Sequence, residues 1–289
     1  MDINKLEQES CAGIVTYNPD IERLQSNVEA VKRNNIETII IVDNGSKNIA
    51  ELEKSINAYG RMRLIKNVEN KGIAHALNQI FETACTIGVK WVLTLDQDSV
   101  INDDMMQVYG RYFETGKNIA SITSIRHDRA YSKMQDHDNT PTEYVNRCIT
   151  SGNLVQVDAW SAVHGFDNRL FIDMVDYDFC YRLREKGYKI LRINQPCILH
   201  ELGKPTVVKF MGKERFVYNH NAFRKYYIFR NYIYTLRNYG QFAKQYDSYS
   251  FLVRLFIKTL LYEKEDKWIK LREMIRGVHD GFKLKRIDL

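Results

Sequence analysis

Glu37-Thr38-Ile39-Ile40-Ile41-Val42-Asp43-Asn44-Gly45-Ser46 joins three consecutive isoleucines and a valine to a polar turn. Such a run has no polar side to offer water, so Glu37–Val42 reads as a strand covered on both faces, the kind that parallel sheets use. Asp43-Asn44-Gly45-Ser46 supplies the turn. Working outward, Cys11–Tyr17 is another short apolar run and stops at Asn18-Pro19. From Asp20, a plausible N-cap, apolar residues at Ile21, Leu24, Val28 and Val31 recur at helical spacing. Arg63–Ile65 is a weaker strand ending near Asn67. A helix then runs from Ile73 to about Ile87, with Ala74, Leu77, Ile80, Phe81 and Ala84 on one face. Trp91–Leu95 is a fourth strand ending at Asp96-Gln97-Asp98, and Ile119–Ile125 a fifth. Strand–helix repeats specify an α/β fold with a mostly parallel sheet and right-handed crossovers.

Beyond that core, Arg126–Thr142 is polar and reads as a mobile loop, and Tyr144–Val157 as extended structure broken at Ser151-Gly152-Asn153. Val175–Lys186 is helical, Tyr188–Ile193 a strand, and the pattern from about Tyr218 is helical to the end. The 289 residues, 44% hydrophobic and 27% charged, exclude a disordered or fibrous chain. The net charge of +6 hides an asymmetry, because residues 204–289 carry 19 Lys/Arg against 8 Asp/Glu and 18 of the 34 aromatics. Residues 1–203 are therefore net acidic. Two regions are expected: an α/β domain over 1–203 and a basic, aromatic, helical region over 204–289. The five scattered cysteines form no CxxC pair and read as reduced thiols, not a disulfide frame. The N-terminus lacks the pattern of a signal peptide, and no run reaches the roughly 20 apolar residues of a membrane span. A cytoplasmic protein is expected, one that can still lie on the inner face of the plasma membrane.

In open parallel sheets, ligands bind beyond the carboxyl ends of the strands. Thr16/Asn18, Asp43/Asn44/Ser46, Asn70/Gly72 and Asp96/Asp98 all fall there, so four strand ends converge on one polar rim. Each cluster alone is an ordinary turn; together they suggest a site. Two carboxylates separated by one residue on extended backbone point to the same side. Asp96 and Asp98 could thus hold a hard divalent cation and leave positions open for phosphate, with a solvated Asp-rich turn as the plain alternative.

Val15-Thr16-Tyr17-Asn18-Pro19, Ile41-Val42-Asp43-Asn44-Gly45-Ser46, Asn70-Lys71-Gly72-Ile73-Ala74-His75-Ala76-Leu77-Asn78 and Leu95-Asp96-Gln97-Asp98-Ser99 follow one another in an order that resembles glycosyltransferase family 2. Phe171-Ile172-Asp173-Met174-Val175-Asp176-Tyr177-Asp178-Phe179-Cys180 and Leu199-His200 extend the likeness toward its bacterial rhamnosyltransferase branch. The resemblance implies a GT-A fold, a Rossmann-like nucleotide-sugar transferase architecture, with a helical C-terminal extension. It implies inverting transfer from a dTDP- or UDP-sugar, with Mn²⁺ or Mg²⁺ as cofactor. Asp176 takes the position of the general base, with Asp173 as its rival because Val175 replaces the family's usual glutamate. Thr16, Asn18, Asp43, Asn44, Ser46, Asn70, Gly72, Asn78 and Asp96 would line the donor nucleotide, with Asp43 accepting from N3–H of a pyrimidine. Asp98, Asp96 and His200 would hold the metal. Ser151, Gly152, Asn153, Arg224 and Arg230 would face the acceptor or the diphosphate. The sugar implied is L-rhamnose from dTDP-L-rhamnose, on a saccharide or lipid-linked acceptor in cell-surface polysaccharide synthesis; another hexose from a UDP-sugar is the alternative.

The tail interleaves His220, Arg224, Tyr226, Tyr227, Arg230, Asn231, Tyr234 and Arg237 at helical spacing, followed by an apolar stripe from Phe251 to Leu260. Nucleic-acid binding would need a recognised fold that is absent. An anionic membrane surface and homodimer or intramolecular packing remain, and the mixture of cations with aromatics favours the membrane. A nucleotidyltransferase would need a basic phosphate-gripping loop, which Ala12-Gly13-Ile14-Val15 does not provide. A non-catalytic nucleotide-sugar or glycan-binding scaffold is the rival from another class.

Overall fold

The computed structural model describes residues 3–57, 62–113, 116–128, 140–200, 206–210, 213–263 and 265–288. In chain order the elements are α1 (Ile3–Gln8), β1 (Ser10–Thr16), α2 (Ile21–Arg33), β2 (Ile39–Asp43), α3 (Ile49–Asn57), β3 (Met62–Lys66), α4 (Ile73–Ile87), β4 (Trp91–Asp96), β5 (Val100–Ile101), α5 (Met105–Gly110) and β6 (Ile119–Asp128). They continue with β7 (Thr142–Val145), β8 (Asn153–Gln156), α6 (Val157–Ala162), α7 (Val175–Glu185), β9 (Lys189–His200), β10 (Thr206–Phe210), β11 (Lys213–Val217), α8 (Ala222–Asn238), α9 (Gly240–Ala243), α10 (Tyr249–Tyr262) and α11 (Lys267–Lys283).

Strand order in the main sheet is β3-β2-β1-β4-β8-β6-β9-β5, with β7 paired to β9. The β3-β2-β1-β4 half is parallel throughout, as are β6 and β9, whereas β8 runs antiparallel between β4 and β6. The sheet is therefore mixed, with its parallel half where the strand–helix repeats place it. Ile39 to Val42 are fully buried. Alternation sends Ile40 and Val42 to one core cluster, with α4, α6 and α7, and Ile39 and Ile41 to the other, with α2, α3 and α5. Burial of each such side chain stabilises by about 1.5–3 kcal/mol, which commits β2 to the sheet centre. Asp20 caps α2 by accepting from the Arg23 amide.

Two parts of the chain differ from expectation. The tail begins with an antiparallel hairpin, β10–β11, before its helices. Moreover, α8 is no appendage, because Phe229, Tyr232, Ile233 and Leu236 share one core cluster with Phe179, Leu170 and Val163. The expected boundary at 203–204 falls outside the described residues, as does most of the 126–142 loop. All five cysteines are free thiols, of which Cys11, Cys180 and Cys197 are buried. Among the described residues no helix is long and apolar enough to cross a membrane.

Candidate active site

Sheet register builds the rim. Thr16 pairs with Asp43, Asp43 with Lys66, and Val15 with Asp96, so the ends of four parallel strands form one edge. The loops above it are tied together. Asp43 Oδ1 accepts from Thr16 Oγ1 at 3.1 Å and from the Ser46 hydroxyl, while Oδ2 accepts from the amides of Gly45 at 3.1 Å and Ser46 at 2.8 Å. Four donors fill the lone-pair positions of this buried carboxylate. The Asn18 amide donates to Ser46 Oγ at 2.7 Å, and Asn18 Oδ1 accepts from the Lys47 amide at 2.8 Å. Asn44 Nδ2 donates to Asn70 Oδ1 at 3.1 Å and to the Gly72 carbonyl at 3.0 Å, linking the β2 end to the start of α4. Gly72 has φ +90°, and a Cβ there would stand 2.7 Å from the Phe171 backbone. Its close approach is thus to the segment that precedes α7. The Tyr17 ring stands on this rim 48% exposed, an aromatic face that sequence reasoning passed over.

The Asp96–Asp98 turn is braced from several directions. Asn27 Nδ2 donates to the Asp96 carbonyl at 2.8 Å, and Gln97 Oε1 accepts from the Tyr17 amide at 2.8 Å. Ser151 Oγ accepts from the Asp96 amide at 3.2 Å and lies 2.6 Å from Ser99 Oγ. Gly152, at φ +77°, donates its amide to the Thr94 carbonyl at 2.8 Å and accepts from the Tyr109 hydroxyl at 2.7 Å. Asn153 Oδ1 accepts from Ser121 Oγ at 2.5 Å. Ser151, Gly152 and Asn153 are buried, so in this arrangement they back the carboxylate turn from within the protein. Asp96 and Asp98 offer oxygen ligands suited to a hard cation, with Gln97 turned aside. Among the described residues no group of three His, Cys, Asp or Glu side chains could hold a metal. β9 ends at His200, whose side chain lies outside the described residues.

Asp176 stands in the first turn of α7, half-buried, its Oδ1 accepting from the Tyr177 amide at 2.9 Å. Loss of hydration lifts its pKa to about 7 against the opposing amide hydrogen bonds, and the Asp96 and Asp173 carboxylates raise it further by repulsion. Those repulsions place the β4 end and the start of α7 in one electrostatic neighbourhood. Asp173 is differently situated. Arg224 Nε and Nη2 donate to its two oxygens at 3.1 and 3.0 Å. The two bonds make a bidentate ion pair between α8 and the segment before α7. Phe171, Asp173 and Met174 all have positive φ, between 59° and 64°. Each such non-glycine residue costs about 1–3 kcal/mol, and they sit immediately before Asp176.

Asn78 and Arg230 have other engagements. Asn78 Nδ2 donates to the Phe166 carbonyl at 2.8 Å and Asn168 Oδ1 at 2.9 Å, while its Oδ1 accepts from Trp160 Nε1 at 3.1 Å and the Phe166 amide at 2.8 Å. Arg230 donates to the Arg169 carbonyl and to Asn231 Oδ1, and its guanidinium lies 4.6 Å from the Tyr227 ring centre. Trp160 and Phe166 are packing residues, stacked on Phe81 and Phe179 respectively. Asp178 is wholly buried in an ion pair with Arg182 at 2.7 Å. His220, held neutral by burial and then by repulsion from Arg224, with a pKa of about 4, is a further polar group near Asp173. Its sequence context marks it only as part of the basic, aromatic stretch of the tail.

The profile of glycosyl transferase family 2 matches residues 11–178, more than half of the chain. A curated relative, dTDP-rhamnosyl transferase RfbF of Shigella flexneri, is 26% identical over 78% of this chain and 79% of its own. Among solved structures, the mannosyltransferase PcManGT of Pyrobaculum calidifontis, in complex with GDP-Man and Mn²⁺, superposes with a TM-score of 0.58 at 11% identity over 95% of this chain and 87% of its own. GalNAc-T7 with UDP, GalNAc and Mn²⁺ gives 0.60 at 12% identity over 95% of this chain and 56% of its own. These likenesses carry the GT-A fold.

Proposed function

This chain belongs to glycosyl transferase family 2, and from that premise we propose that it moves L-rhamnose from dTDP-L-rhamnose onto a lipid-linked saccharide in cell-surface polysaccharide synthesis. The likeness to a dTDP-rhamnosyl transferase, over 78% of this chain and 79% of that one, supports the sugar. The chemistry rests on one arrangement: Asp176 in the first turn of α7 lies within electrostatic reach of Asp96 at the end of β4, and lost hydration raises its pKa toward neutrality.

An acceptor hydroxyl is a weak nucleophile, and a carboxylate with a pKa near 7 can take its proton as the new bond to the anomeric carbon forms. Displacement from the face opposite the leaving dTDP inverts the anomeric centre. Asp96 and Asp98 would hold a divalent cation, Mn²⁺ or Mg²⁺, whose charge offsets that developing on the diphosphate. Thr16, Asn18, Asp43, Asn44, Ser46, Asn70 and Gly72 form a cross-linked cradle for the nucleotide, and Tyr17 offers a stacking face for its base. Because Asp43 already has four donors, accepting a pyrimidine N3–H requires the Thr16 or Ser46 hydroxyl to turn away. Arg224, paired with Asp173 three residues before the proposed base, supports a diphosphate-side role. A cytoplasmic location with α10 and α11 against an anionic bilayer fits a lipid-linked acceptor.

The test is transfer or hydrolysis of dTDP-rhamnose by purified protein with Mn²⁺, with Mg²⁺ and with chelator. Asp98→Ala and Asp176→Asn should each lower kcat at least 100-fold; full turnover in either removes its residue from the site. A preference for a UDP-hexose would replace the sugar and leave the chemistry. Binding of dTDP-rhamnose with no turnover under any metal would favour the scaffold.

A further inference from the structure

Phe171, Asp173 and Met174 hold left-handed conformations within four residues, and such backbone persists only where its surroundings over-determine it. The surroundings come largely from one helix. Asn231, fully buried on α8, directs Nδ2 at the carbonyls of Leu170 at 2.7 Å, Ile172 at 2.8 Å and Asp173 at 2.9 Å. Its Oδ1 accepts from Arg230 Nε at 2.9 Å, which fixes the end of the carboxamide that faces the carbonyls. One turn earlier, Tyr227 stacks on the Phe171 ring at 5.1 Å; a turn before that, Phe223 meets the same ring edge-on at 5.2 Å, and Arg224 grips the Asp173 carboxylate. Phe223, Tyr227 and Asn231 recur every four residues and so form one face of α8. Behind α8 stands α11, where a Cβ on Gly277 would lie 2.5 Å from the Tyr226 carbonyl and one on Gly281 2.6 Å from that of Arg230. Backed this closely, α8 has little room to withdraw from the strained segment.

We propose that Asn231, oriented by Arg230, is a positioning residue: it clamps Leu170–Met174 in its left-handed course and thereby sets where α7 presents the Asp176 carboxylate. The inference deepens the reading of Asp176 as base and rests on it. A helix that merely filled the core would need only its apolar side chains. Here a buried carboxamide is committed to three carbonyls of the segment that enters α7.

The experiment compares full-length wild type, Asn231→Ala and Asp176→Asn by hydrogen exchange, by dTDP titration calorimetry and by turnover of dTDP-rhamnose with Mn²⁺. In Asn231→Ala, amides of 170–178 should exchange faster while those of β1 and β4 keep their protection. Affinity for dTDP should stay within twofold, and kcat should fall about 10–100-fold with little change in donor KM, as expected when a reacting group is displaced by an ångström or so. Unchanged exchange and unchanged kcat would overturn the clamp; so would a loss confined to dTDP affinity or donor KM. Should Asn231→Ala not fold, the near-isosteric Asn231→Leu, which keeps the side-chain volume and removes the Nδ2 donor, decides by the same measurements. Full turnover in Asp176→Asn would instead remove the base assignment, and the exchange result would still judge the clamp.

Discussion

Asp176 and Asp178 are two residues apart in one helix and do opposite work. Asp176 is half-buried, its pKa raised to about 7 by lost hydration and by neighbouring carboxylates, so the fold favours its protonated form. That contribution is complete below about pH 4, where the carboxyl is protonated in both states, and is lost as pH rises through 7. Asp176→Asn should therefore match wild type in thermal stability near pH 4 and exceed it at pH 8, while losing turnover; a gap that closes toward alkaline pH would contradict this. Asp178 is fixed to Arg182, whose guanidinium also donates to the carbonyls of Val163 at 2.5 Å and Gly165 at 2.6 Å. Asp178→Ala would leave that cation buried and unpaired, and should cost about 3–5 kcal/mol in urea unfolding. The three acids of this segment are visible in the sequence, and the family resemblance already sets Asp176 ahead of Asp173; the ion pairs that occupy the other two are not. Their partners arrive from sites 4 and 51 residues away, Arg182 for Asp178 and Arg224 for Asp173.

Elements that follow local rules were legible in the sequence, and those set by distant partners were not. The helix Ile73–Ile87 matches its apolar spacing, and the polar ends of β1, β2 and β4 meet on one rim because parallel register aligns them. By contrast β8 takes an antiparallel place through pairing with β4 and β6, a choice that its four residues do not encode. The basic, aromatic stretch of α8 likewise reads as a surface, yet Lys225 is 1% exposed. Its ammonium donates to Glu263 Oε1 at 2.6 Å, and Lys270 donates to Oε2 at 2.9 Å, tying α8, the end of α10 and α11 at one buried point. Burial disfavours both charges, but the two ammonium groups hold the Glu263 carboxyl below its ordinary range, and Lys225 is itself lowered by burial. Glu263→Ala should therefore strand two cations and cost about 3–5 kcal/mol, whereas replacing only the backing contact with Gly281→Ala should cost about 1–3 kcal/mol through overpacking. Denaturant midpoints of the two variants check the order.

The charge asymmetry of the whole chain has a spatial counterpart in the outer faces of α10 and α11. Val253, Ile257 and Leu261 are exposed on α10, and Trp268 and Ile275 on α11 are 76% and 61% exposed. Arg254, Lys258, Lys267 and Lys283 belong to the same two helices. Large apolar groups with cations beside them suit a bilayer interface, where each Lys or Arg near an anionic surface contributes about 1 kcal/mol. Protein at fixed concentration should sediment with vesicles containing anionic lipid and remain largely in solution with neutral ones, and the difference should shrink at high salt as screening grows. Ile257→Asp combined with Trp268→Asp should abolish sedimentation without altering turnover on a soluble acceptor. If the same face instead joined two copies of the chain, light scattering would report a dimer without lipid, the double variant would be a monomer, and vesicles would bind neither. Point substitutions on α10 and α11 are the right instrument, because truncation near Tyr218 also removes Asn231 and Arg224. Such a truncation also strips Phe229, Tyr232, Ile233 and Leu236 from the core, so loss of activity after it would report on packing, whatever the membrane does.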